Sequence, residues 1–123
     1  MYRANYTIKD RLQQILESID VIGERCNTVG DYNEFFMSPE KMMLFDSVVM
    51  RLQVIGELVG KLLQDKTHPL ESHPEIPWVQ IYDMRNLISH EYANIDEAIV
   101  YSVIKDELPL LRIAIEDLLT RMK

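Results

Sequence analysis

A single cysteine, Cys26, stands among 123 residues, so no internal disulfide can staple the chain. That usage fits a reducing cytosol, and a soluble, cytoplasmic protein is the expectation. No stretch reaches the roughly 20 apolar residues that a membrane helix needs. The opening residues Met1 to Tyr6 hold no apolar run of the signal-peptide kind. Glycine and proline are scarce, four and five, which leaves long uninterrupted stretches suited to helices. Basic residues are outnumbered 13 to 20, giving a formal charge of −7. That balance argues against a nonspecific nucleic-acid coat, but leaves room for a small cationic cleft or a basic partner. What remains is 47% apolar and 27% charged, an ordinary globular composition, and the length suits one domain over residues 1–123.

Helical periodicity organises the chain from its start. A first helix is predicted from Thr7 to about Val29, opened by a capping box of Thr7 with Asp10 and stopped at Gly30. Its inward stripe is Ile8, Leu12, Ile15, Leu16, Ile19 and Ile22. Phe35 and Phe36 follow in a short connection and read as a plug over one end of the core. Ser38-Pro39-Glu40 then starts a second helix: an N-cap, a proline at the first position, and an acid at the positive end of the dipole. This helix runs to about Gln64, with Phe45, Val48, Val49, Leu52, Ile55, Val59, Leu62 and Leu63 inward. Gly56 and Gly60 inside it each cost about 1 kcal/mol against alanine. Close approach of a neighbouring helix is the expected compensation.

Asp65 to Ile76 reads as an extended loop, because His68-Pro69 and His73-Pro74 disfavour helix. These histidines with Cys26 match no zinc spacing and are expected to be solvated; no metal site is assigned. Pro77 begins a third helix with Trp78, Ile81, Met84 and Ile88 buried. Asn94 or Asp96 caps a fourth, spanning about 96 to 121, with Ile99, Val100, Val103, Ile104, Leu108, Leu111, Ile115, Leu118 and Met122 inward. Pro109 must kink that helix or divide it, starting the second piece. The sum is an all-α, up-and-down bundle of four to five helices.

The chemistry gathers between Trp78 and Tyr92. Arg85, His90 and Tyr92 place a permanent cation, a group titrating near neutrality and a phenol within eight residues. Five residues along a regular helix turn a side chain by about 140° and raise it by about 7.5 Å. Arg85 and His90 therefore converge only if the helix ends near Ser89, or if they meet across a dimer axis. Such a pair suits RNA cleavage by the neighbouring 2′-hydroxyl, which needs a base, an acid and a cation over the phosphorane charge. One His90 cannot be both base and acid in one step, and a symmetric dimer would bring a second. The bland alternatives are a surface ion pair of Arg85 with Asp83, worth under about 1 kcal/mol, and a histidine that complements a helix dipole.

Arg85-Asn86, three residues, His90, one residue, Tyr92 resembles the signature of the HEPN superfamily. Ile76-Pro77-Trp78 before it, and Ile55-Gly56-Glu57 in the second helix, resemble its HepT-like toxin branch. The resemblance covers nearly the whole chain. It implies an all-α homodimer with the motifs facing across a groove, and a metal-independent ribonuclease in which Arg85 and His90 are the catalytic pair. No cofactor is implied. It further implies a toxin whose partner, a minimal nucleotidyltransferase, silences it by attaching AMP to Tyr92. Asn86 and Glu57 would support Arg85, Glu57 by orienting it. Glu91 adds an acid beside the site and runs against nuclease chemistry. Two competing functions stand beside this: a noncatalytic helical module that holds a nucleotidyltransferase, and an acid–base pair of His68 and His73.

Overall fold

The capping box at Thr7 forms in both directions. Asp10 N–H donates to Thr7 Oγ1 and Thr7 N–H to Asp10 Oδ2, each at 3.0 Å. It opens α1 (Ile8–Arg25) in the computed structural model, which describes residues 6–122. Residues 1–5, most of the stretch read for a leader, and residue 123 lie outside the described residues. α1 ends four residues earlier than the periodicity suggested. Cys26 and Val29 are buried in the turn that follows, with Val29 N–H donating to Cys26 O at 3.0 Å. Gly30 is not a left-handed stop, since no described glycine has positive φ. Its N–H is held by Glu34 Oε2 at 2.7 Å instead.

Of the two plug residues only Phe35 is buried; Phe36 is half exposed. Both rings lie against Phe45, with centroids 5.0 and 5.2 Å away. α2 (Pro39–Leu63) starts as expected, Lys41 N–H donating to Ser38 Oγ at 3.1 Å with Pro39 in the first turn. Its buried face (Phe45, Val48, Val49, Leu52, Ile55, Val59, Leu62) is the centre of the core, and each such side chain contributes about 1.5–3 kcal/mol by leaving water.

The segment from 65 to 76 is not extended. It is a run of tight turns, with Glu71 N–H donating to His68 O and Ile76 N–H to His73 O. Pro69 and Pro74 occupy the second position of those turns, where a fixed φ favours the bend. α3 (Trp78–Glu91) follows and passes into a single 3-10 turn, Tyr92–Asn94. Asp96, not Asn94, caps α4 (Glu97–Ser102) by accepting from Ala98 N–H at 2.8 Å.

The predicted long fourth helix divides. A π turn, Val103–Glu107, separates α4 from α5 (Leu108–Arg121), and Leu108 N–H reaches back five residues to Val103 O. Pro109, in the first turn of α5, has no N–H, and its ring would crowd the carbonyl of Lys105 four residues back. Widening the turn there relieves both problems. The extra residue also changes the helix register. Val100, Ile104, Leu108, Leu111, Ile115 and Leu118 are buried, whereas Ile99 and Met122, expected inward, are exposed.

No strand occurs among the described residues, and the fold is an all-α bundle. α2 lies between α1 and α3, and α5 packs on α1. α2 and α3 run antiparallel at very short range. A Cβ on Gly56 would lie 3.0 Å from both Arg85 Cβ and Ile81 O, and one on Gly60 would collide with the Tyr82 ring. The two glycines thus permit the close helix approach expected of them.

Candidate functional site

The seam between α2 and α3 carries a ladder of polar pairs. Along the seam Tyr92 meets Asp46, Ser89 meets Gln53 and Arg85 meets Glu57, and beyond them the Tyr82 ring packs on Gly60. Arg85 and Ser89 are four residues apart on one face of α3, and Tyr92 follows in the 3-10 turn. Gly56 sets the position of Arg85, whose Cβ is packed against the α2 backbone. Its Nε is 3.5 Å from Glu57 Oε2, and Nη1 donates to Asn86 Oδ1 at 3.3 Å. Nη2 has no protein partner among the described residues. Glu57 and Asn86 thus hold the guanidinium from two sides.

Tyr92 Oη donates to Asp46 Oδ1. That carboxylate, helped by partial burial, pushes the phenol pKa up to about 12, because ionising the tyrosine would set two anions against each other. Glu91 is turned aside and accepts from Asn94 Nδ2 at 3.2 Å.

His90 does not join this ladder. α3 continues past Ser89 to Glu91. On that regular helix His90 lies about 140° around from Arg85. It shares an exposed face with Val79, Asp83, Asn86 and Leu87, spaced at helical intervals. Arg85, by contrast, opens onto a polar pocket of 180 Å³ with Glu57, Gly60, Lys61, Gln64 and Tyr82.

His73 is not a solvated loop residue. Its side chain is 13% exposed, Nδ1 is 2.8 Å from Glu75 Oε2, and Nε2 is 2.7 Å from Asp117 Oδ2. Its backbone carbonyl accepts from Trp78 Nε1 at 2.9 Å. Glu75 first, then Asp117, raise its pKa above the ordinary value. With both ring nitrogens committed, it clasps the turn segment to α5 and to the start of α3. An acid–base role shared with His68 does not fit that arrangement.

Asp46, Gln53 and Ser89 were not singled out from the sequence. The signal was present: Asp46, Gln53 and Glu57 fall seven and four residues apart, a polar stripe on an otherwise apolar helix.

Comparison with known proteins identifies the family. The family model described as "Ribonuclease HepT-like" matches residues 15–118. A Methanocaldococcus jannaschii protein named "Putative RNase MJ1380" is 30% identical over 109 residues, covering 89% of this chain and 94% of that protein. "Putative RNase TTE0752" of Caldanaerobacter subterraneus is 28% identical, with 95% and 98% covered. "Probable ribonuclease HepT" of Thermococcus cleftensis is 30% identical, with 85% and 88% covered. No solved structure matches the chain. The matched span takes in the α2–α3 seam and the whole Arg85–Tyr92 motif, and the chain belongs to the ribonuclease HepT-like family.

Proposed function

We propose that the chain is an endoribonuclease acting without metal, with Arg85 and His90 at a groove between two copies. The observation that carries this reading is the seating of Arg85: packed on Gly56, held by Glu57 and Asn86, and left with one guanidinium nitrogen to offer. Arg85 would bind the non-bridging phosphate oxygens, where its planar fork matches the charge that develops. His90 would take the 2′-hydroxyl proton. The 2′-oxygen then bonds to phosphorus, the bond to the 5′-oxygen breaks, and a second His90 supplies that oxygen with its proton. The products are a 2′,3′-cyclic phosphate and a 5′-hydroxyl. The exposed face of α3 with Val79 and Leu87 suits pairing of two chains.

The regulation we propose is adenylylation of Tyr92 by a minimal nucleotidyltransferase, making the chain the toxin of a toxin–antitoxin pair. Tyr92 lies seven residues after Arg85, in the 3-10 turn that follows α3, and meets α2 at the same seam through Asp46. An AMP group there adds bulk and negative charge beside the guanidinium, which would exclude an RNA phosphate. It would also end the hydrogen bond to Asp46.

The divergence of Arg85 and His90 within one protomer favours a second reading, a noncatalytic module that holds a nucleotidyltransferase. Incubating the pure protein with RNA in EDTA separates the two. Fragments ending in cyclic phosphate support the nuclease; intact RNA together with a stable nucleotidyltransferase complex supports the module. For the regulation, co-expression with a minimal nucleotidyltransferase should add adenylyl mass to the peptide carrying Tyr92. An unmodified peptide from a co-expressed, growing culture would remove that part of the account.

A further inference from the structure

We propose that the polar pocket at the α2–α3 seam is a subsite for the nucleotide next to the phosphate gripped by Arg85. The inference rests on the ribonuclease reading and extends it along the RNA strand. Three features of the pocket point to a nucleotide.

The first is charge. In a chain of net charge −7, two cations, Arg85 and Lys61, line a pocket with a single acid, Glu57. That acid is engaged with Arg85. Lys61 is exposed and has no carboxylate within 4.0 Å among the described residues. It lies one turn, about 6 Å, along α2 from Glu57. A cation left free beside an anchored one suits a second phosphate on the same strand.

The second is the aromatic platform. Gly60 lets the Tyr82 ring press against the backbone of α2, where any side chain would displace it. The Arg85 guanidinium lies over the same ring, 5.9 Å from its centroid. An aromatic ring beside two cations is how single-stranded nucleic acid is held without reading its sequence, by stacking and by phosphate contact. The third feature is Gln64, exposed at the rim and able to donate to and accept from a base edge.

Lys61 would therefore bind a phosphate adjacent to the scissile one, with the intervening base against Tyr82 and Gln64. The test uses a fluorescein-labelled oligouridylate carrying 2′-fluoro groups, which no 2′-hydroxyl chemistry can cleave. Its affinity is measured by anisotropy across a salt series. Lys61→Ala should weaken binding about ten-fold, and the slope of log affinity against log salt should fall by about 0.7, one phosphate's worth on a single strand. Lys61→Arg should restore both. Gln64→Ala should weaken binding with the salt slope unchanged. Thermal melts of these surface variants should match the parent. Parent-like affinity and slope in Lys61→Ala would overturn the subsite, as would a parent protein that binds no probe. Failure of the nuclease reading gives a different pattern: the probe still binds in a Lys61-dependent way, while uncleaved 2′-hydroxyl RNA remains.

Discussion

Asp46 and Tyr92 illustrate what single residues add to this site. The phenol is held neutral to about pH 12 by the carboxylate it donates to. Because the folded value is raised above 10.0, the interaction stabilises the fold fully below pH 10.0 and is lost as pH rises towards 12. In Asp46→Asn the phenolate absorbance of one tyrosine should therefore move from about pH 12 back towards 10. A titration curve identical to the parent's would show that the bond does not form. His73 has the same sign of linkage at a lower pH. Its pKa is raised, by Glu75 first and then Asp117, so its contribution is complete below pH 6.5 and disappears as pH climbs through the folded value. His73→Gln should lower the melting temperature in acid and matter progressively less in alkali. An equal loss at every pH would assign the effect to packing alone. Neither partner was readable from local sequence: Asp46 is 46 residues from Tyr92, and Asp117 is 44 from His73. Such pairs depend on helix register, which periodicity does not specify.

At the scale of the element, the seam between α2 and α3 is where sequence and structure agree best. Two glycines inside an apolar helix signalled close approach, and both lie directly under α3. Alanine would ordinarily strengthen a helix by about 1 kcal/mol over glycine. Gly56→Ala should instead destabilise the protein by roughly 1–3 kcal/mol, because the new methyl meets the Ile81 carbonyl and the Arg85 stem. Urea titration measures this, and a stabilised variant would contradict the close contact. The same substitution should lower RNA cleavage more than it lowers stability, since it moves Arg85. Helix ends were less legible. α1 stops early because Cys26 and Val29 turn inward to be buried, a tertiary effect that outweighs the pattern of the helix itself. Pro109 announced a break, but not its form, a π turn that redistributes which of Ile99 and Val100 faces the core.

For the whole molecule, the bundle sets the motif's Arg85 at the α2–α3 seam and leaves its His90 exposed. α3 is braced by α2, while a pocket of 170 Å³ floored by Ile55 separates it from the π turn and α5. Its outer face, with His90, is left open. The all-α class and the place of the motif's Arg85 and His90 near the end of one helix followed from spacing alone. The side on which each member of that motif lies did not, since it turned on whether α3 ended at Ser89 or ran on to Glu91. It runs on, and in the proposed mechanism two chains bring a guanidinium at the seam and an exposed imidazole to one phosphodiester. The measurement that bears on this most directly is RNA cleavage in EDTA by Arg85→Ala and His90→Ala, with the mass of each in solution taken by light scattering. The account predicts that each variant remains a dimer and loses at least about a hundred-fold in rate. A His90→Ala dimer that cleaves as fast as the parent would contradict it.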